Sequence, residues 1–185
     1  MVSLRVGKAI EKKHLAQREM LWPGAEAWIW HRDKNKGFAT IPKTMPLILQ
    51  IMDDLSKGKP LSSTYLILWC DTLDNGMINA HRPQEMAHAA GFSGHHAVYT
   101  WEGRVKLLQE LNFINVKAGR SGPISHVLIH NPHMVIRGHH DAKNPGLPEA
   151  SFNALLERAL DVGAKDMLES EPPISAEPPG GGANE

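Results

Sequence analysis

His95, His96, Tyr99 and Lys106 are spaced so that one helix would turn them all to the same side. At about 100° per residue, a helix over residues 95–111 sets them, together with Gly103, opposite Val98, Trp101, Val105 and Leu108. Leu111 extends the apolar side, whose three- and four-residue steps are the period of a buried helical face. Imidazole, phenol and ammonium groups donate hydrogen bonds or carry positive charge, which suits base edges and phosphates in a major groove. Thr100 and Arg104 flank that face. Gly103 lowers helix stability by about 1 kcal/mol relative to alanine and leaves room for a partner to come close. Glu102 and Glu110 stand on the same side and repel phosphate, so an ordinary solvated face is the competing reading.

Such a helix has to be held in place, and the residues around it supply the elements. Pro83 opens a short helix over residues 83–90, since proline is favoured in a first helical turn. Gly91-Phe92-Ser93-Gly94 stops it. After the longer helix, residues 113–117 alternate like a half-buried strand, residues 119–123 form a Gly/Ser/Pro turn, and residues 126–130 make a second strand. Lys117, Arg120 and Ser121 cluster at the tip of that hairpin. Upstream, Thr44 caps a helix over residues 46–55, Ser62 or Ser63 caps another over residues 62–73, and residues 77–80 form a short strand.

Helix, turn, helix, then a two-stranded hairpin joined by one earlier strand: in this order the chain resembles winged helix-turn-helix DNA-binding domains. The resemblance implies an α+β, mainly helical fold with a small antiparallel sheet. It implies double-stranded DNA as partner, with His95, His96, Tyr99, Thr100, Arg104 and Lys106 on the reading helix and Lys117, Arg120 and Ser121 at the backbone. The segment GFATIPKTMPLI followed by this unit is similar to small proteins of plasmids and mobile elements. The unit itself is similar to the winged domains of plasmid replication initiators, which usually carry two where this chain has room for one. Transcriptional regulation and plasmid replication or maintenance are the implied roles. A winged-helix adaptor that binds protein without touching DNA is the alternative.

The remaining segments read as extensions. Residues 1–43 comprise a basic helix (3–20) and a β-hairpin, AWIWH and GFATI around the turn RDKNK. Trp28 and Trp30 share a strand face there; capping a small core is the commoner role for such a pair, and stacking on bases the rarer one. Arg32, Lys34 and Lys36 make a second basic tip. Residues 44–140 hold the winged unit. Residues 141–168 hold a loop and a final helix over 151–160, with Phe152, Leu155, Leu156 and Leu160 on one side. The two terminal helices are candidate surfaces for a protein partner or a homodimer. Residues 169–185, acidic and rich in Pro and Gly, read as a disordered tail.

Charge is uneven along the chain. Residues 1–140 hold 17 Lys and Arg against 11 Asp and Glu, and residues 141–185 hold 3 against 9, so a basic body carries an acidic end within a neutral total. The single cysteine, Cys70, excludes an intramolecular disulfide framework and multi-cysteine zinc motifs, and its apolar neighbours suggest small core packing. The 11 histidines read as scattered surface residues, although His126, His130, His133, His139 and His140 invite a metal reading. Without nucleophile, phosphate-loop or dinucleotide motifs, the sequence suggests neither an enzyme nor a cofactor. Nothing approaches the about 18 apolar residues of a membrane span, so a cytoplasmic protein with no membrane partner is expected.

Overall fold

Ile48, Ile51, Met52 and Leu55 recur at three- and four-residue steps, and the helix they define is the centre of the core: all four are buried. The structure, a computed structural model, describes residues 2–72 and 75–168. Among these it is α+β, with seven α-helices and one three-stranded antiparallel sheet. In chain order the elements are α1 (Val2–Leu21), α2 (Met45–Leu55), α3 (Ser62–Asp71), β1 (Met77–Asn79), α4 (Pro83–Ala89), α5 (Ala97–Glu110), β2 (Ile114–Gly119), β3 (Gly122–Ile129), α6 (Pro132–Asp141) and α7 (Glu149–Val162). Short 3₁₀ turns lie at Ala25–Ala27 and Lys165–Met167. The expected disordered tail falls outside the described residues, as does Asp74 of the turn before β1.

The chain forms two compact units, residues 1–38 and 39–185. In the second, Trp101, Val105 and Leu108 of α5 are fully buried with Tyr65 and Leu68 of α3, Phe113 just before β2 and Val127 of β3. β3 is the middle strand, between β1 and β2. Pro123 is tolerated there because β1 pairs only with residues 126–128 of β3, so no bond from that side is lost. Asn112 links α5 to β2 at φ +68, a left-handed position that asparagine accepts more readily than most residues.

Helix starts are secured from a distance as well as locally. Asp53 Oδ1 of α2 accepts the Leu61 and Ser62 amides at 2.6 and 2.9 Å, so α3 is capped by a neighbouring helix and not by Ser62 or Ser63. Ser151 lies inside the first turn of α7 and donates to Asp54 Oδ2 at 3.2 Å, tying that helix to α2. Asn131 caps α6 through the His133 amide at 2.9 Å, with Pro132 in the first turn. The helix then runs on to Asp141, where a loop was expected.

Four further expectations are corrected. No hairpin forms around RDKNK: residues 25–27 make a 3₁₀ turn, and among the described residues no strand follows before β1. A strand needs a partner, and the second half of this one is divided, because Thr40 belongs to the other unit, where its carbonyl accepts Trp69 Nε1 at 2.9 Å. Trp28 and Trp30 consequently cap no core and are 90% and 59% exposed. Cys70 is exposed, since it lies nearly opposite Tyr65 and Leu68 around α3. On α7, Leu160 is exposed and Ala159 takes the buried position beside Phe152 and Leu155.

Candidate nucleic-acid interface

The outer face of α5 is open to solvent. Tyr99 is 77% exposed, and Gly103 and Lys106 are exposed with it. The same helix buries Trp101, Val105 and Leu108 completely, so one side anchors while the other is offered. Tyr99, Thr100, Arg104 and Lys106 line one shallow groove along the helix, joined by Lys59 from the loop before α3 and by Glu102 and Glu110. A methyl group added at Gly103 would meet nothing within 4 Å. The glycine therefore leaves the helix backbone accessible and is not there to fit a neighbour.

His95 and His96 precede the helix. α5 begins at Ala97, and His96 is its N-cap residue, whose carbonyl accepts the Thr100 amide at 2.9 Å. The helix starts late because Gly94, at φ +79, completes the turn after α4 and its carbonyl takes the Ala97 amide at 3.2 Å. Both imidazoles remain exposed at the N-terminal end of the open face of α5. Arg104 and Thr100 are half-buried. The Arg104 guanidinium lies over the Phe92 ring, 6.0 Å from its centroid, which draws this cation toward the turn between α4 and α5.

Lys117, Arg120 and Ser121 are exposed on the β2–β3 hairpin, apart from the α5 groove. The turn is tighter than expected: Gly119 pairs with Gly122, leaving Arg120 and Ser121 alone at the tip. Gly119 is required by proximity, because a Cβ there would stand 2.8 Å from Ser125 Cβ and 3.0 Å from His126 Nε2. Ser125 is buried and donates to the Gly122 carbonyl at 2.8 Å. Among the described residues Lys106, Lys117 and Arg120 enter no ion pair, so all three charges are available.

The histidines are mostly engaged in structure. His126 Nδ1 donates to Asn79 Oδ1 at 2.9 Å, linking β3 to β1. His130 Nδ1 donates to the Asn112 carbonyl at 2.7 Å. His139 Nδ1 accepts from Asn144, which fixes Nε2–H as the donor to the Leu111 carbonyl at 2.9 Å. Among the described residues no three His, Cys, Asp or Glu side chains converge as a metal site would need.

His133 is the arrangement that sequence reasoning missed. It is 4% exposed; its Nε2 accepts the Thr44 hydroxyl at 2.8 Å, and its Nδ1 donates to Asp166 Oδ2 at 2.8 Å. Burial works against the Asp166 carboxylate, yet hydrogen bonds from His133 and Asn131 prevail and hold its pKa below the ordinary value. Hydroxyl, imidazole and carboxylate in line resemble a nucleophile relay. Thr44 is 1% exposed, however, so the relay braces α2, α6 and the Lys165–Met167 turn against one another. Asn131-Pro132 before His133 marks the start of a helix, and the partners lie 89 and 33 positions away, where no local pattern reaches. No protein-family model matches this chain, and no curated protein or solved structure does either.

Proposed function

We propose that the protein binds double-stranded DNA through residues 83–129, with α4 and α5 as the helix-turn-helix and β2–β3 as the wing. The observation that carries this reading is the division of α5 into a fully buried side and an open side bearing Tyr99, Gly103 and Lys106. Tyr99, His95 and His96 would meet base edges, Lys106 the phosphates, and Lys117 and Arg120 the flanking backbone. In this reading the physiological role is transcriptional regulation, or replication or maintenance of a plasmid or mobile element.

A titration of the full chain against duplex DNA across salt concentrations tests it. The slope of log K against log salt is about −0.9 per phosphate neutralised. Lys106→Ala and Arg120→Ala should each weaken binding and each flatten that slope by about one. Unchanged affinity in both variants rules out the proposed docking. Glu102 and Glu110 in the same groove favour the second reading, a winged-helix adaptor for a protein. An adaptor gives no salt-dependent duplex binding at all.

A further inference from the structure

The most exposed aromatic surface lies outside the proposed duplex site, in the unit formed by residues 1–38. Trp28 and Trp30 were expected to cap a small core, and both face solvent instead. Phe38 is exposed too, its ring edge-to-face with Trp30 at 6.0 Å between centroids. Arg32 lies over Phe38, 4.9 Å from the ring centroid. Three exposed rings and a guanidinium thus fall within 11 residues of chain, and the two tryptophans keep most of their surface open.

The charge around them has been sorted by one carboxylate. Glu26 accepts Lys34 and Arg18 at 3.2 and 2.6 Å, and these hydrogen bonds hold its carboxyl below the usual range. That carboxylate occupies two cations, and among the described residues Arg32 and Lys36 have no acidic partner. The unit as a whole has eight Lys and Arg against four Asp and Glu. Its complement is therefore an anion that also presents flat, apolar faces.

We infer that residues 28–38 form a binding surface for single-stranded nucleic acid, Trp28 and Trp30 stacking on unpaired bases while Arg32 and Lys36 neutralise phosphates. Indole and base faces stack without regard to sequence, and the cations follow the backbone. A duplex keeps its base faces covered by neighbouring pairs, so these tryptophans select unpaired strands. An acidic peptide matches the charge but leaves the rings without partners.

The full chain is titrated with a labelled oligothymidylate of about 20 nucleotides, a length that spans one such site, and with an abasic strand of equal length and charge. Oligothymidylate should bind in a salt-sensitive way and quench tryptophan fluorescence, and the abasic strand should bind more weakly. Trp28→Ala with Trp30→Ala should lower the affinity about tenfold or more, while Trp28→Phe with Trp30→Phe retains most of it. Both tryptophans are exposed, so circular dichroism of the variants should match the parent. Equal binding of the abasic strand, no binding of oligothymidylate at low salt, or an unchanged affinity in the alanine pair overturns the inference. Lys106→Ala leaves the single-strand signal intact, so failure of the duplex reading is seen separately in the duplex titration.

Discussion

His133 shows how far a single side chain can differ from what its neighbourhood in the sequence suggests. Among so many histidines it reads as one more surface residue. In the fold it is almost wholly enclosed and uses both ring nitrogens, one toward Thr44 and one toward Asp166. Enclosed polar groups that keep their partners are tolerated, and losing one partner leaves the other unsatisfied, at a penalty of about 1–3 kcal/mol. Asp166 makes this contact testable by pH. Its pKa is depressed in the folded chain, so its stabilisation is complete above the unfolded value and disappears as pH falls through the folded one. Asp166→Asn should lower the melting temperature at neutral pH and flatten the acid side of its pH profile. Parallel acid limbs in parent and variant, measured by thermal melts from pH 2 to 7, would show that the carboxylate has no such role.

At the scale of elements, what could be read from the sequence was what periodicity encodes. The buried sides of α2 and α5, the short α4 and the three strands of the sheet all follow from apolar spacing and from Gly and Pro at the breaks. The exposed side of α5 was legible for the same reason, being the complement of the buried one. What periodicity does not encode is the partner. AWIWH alternates as a strand should, yet no second strand is available to it, so it bends around Glu26 instead. α6 runs on through His139 because that imidazole hydrogen-bonds the end of α5, a contact 28 positions away that no local pattern announces. The hairpin tip was placed correctly but drawn too wide, since the steric demand at Gly119 comes from Ser125 across the ladder. Two glycines therefore separate by environment. Gly119→Ala should destabilise by about 1–3 kcal/mol through overpacking and speed amide exchange in β2 and β3. Gly103→Ala, meeting nothing, should stabilise by about 1 kcal/mol. The reverse order in chemical denaturation would contradict the packing at both positions.

Across the whole molecule, charge is segregated by position in the chain. The positive excess of residues 1–140 is balanced in number by the negative excess of residues 141–185. Residues 169–185 contribute four glutamates, Glu169, Glu171, Glu177 and Glu185, and no lysine or arginine. If α5 and the hairpin meet phosphates, those glutamates act on the same field with opposite sign. They lower the concentration of duplex near the protein whatever its sequence. The effect is long-range, so salt should weaken it sooner than it weakens direct contacts, the screening length being about 10 Å at 0.1 M. Deleting residues 169–185 should therefore strengthen binding to random duplex at low salt more than binding to a selected site. The gap between parent and truncated chain should close as salt is raised. A deletion that changes random and selected duplex equally, at every salt concentration, would mean that the acidic end exerts no electrostatic control over DNA. The basic residues of α5 and the hairpin would then act without opposition from it.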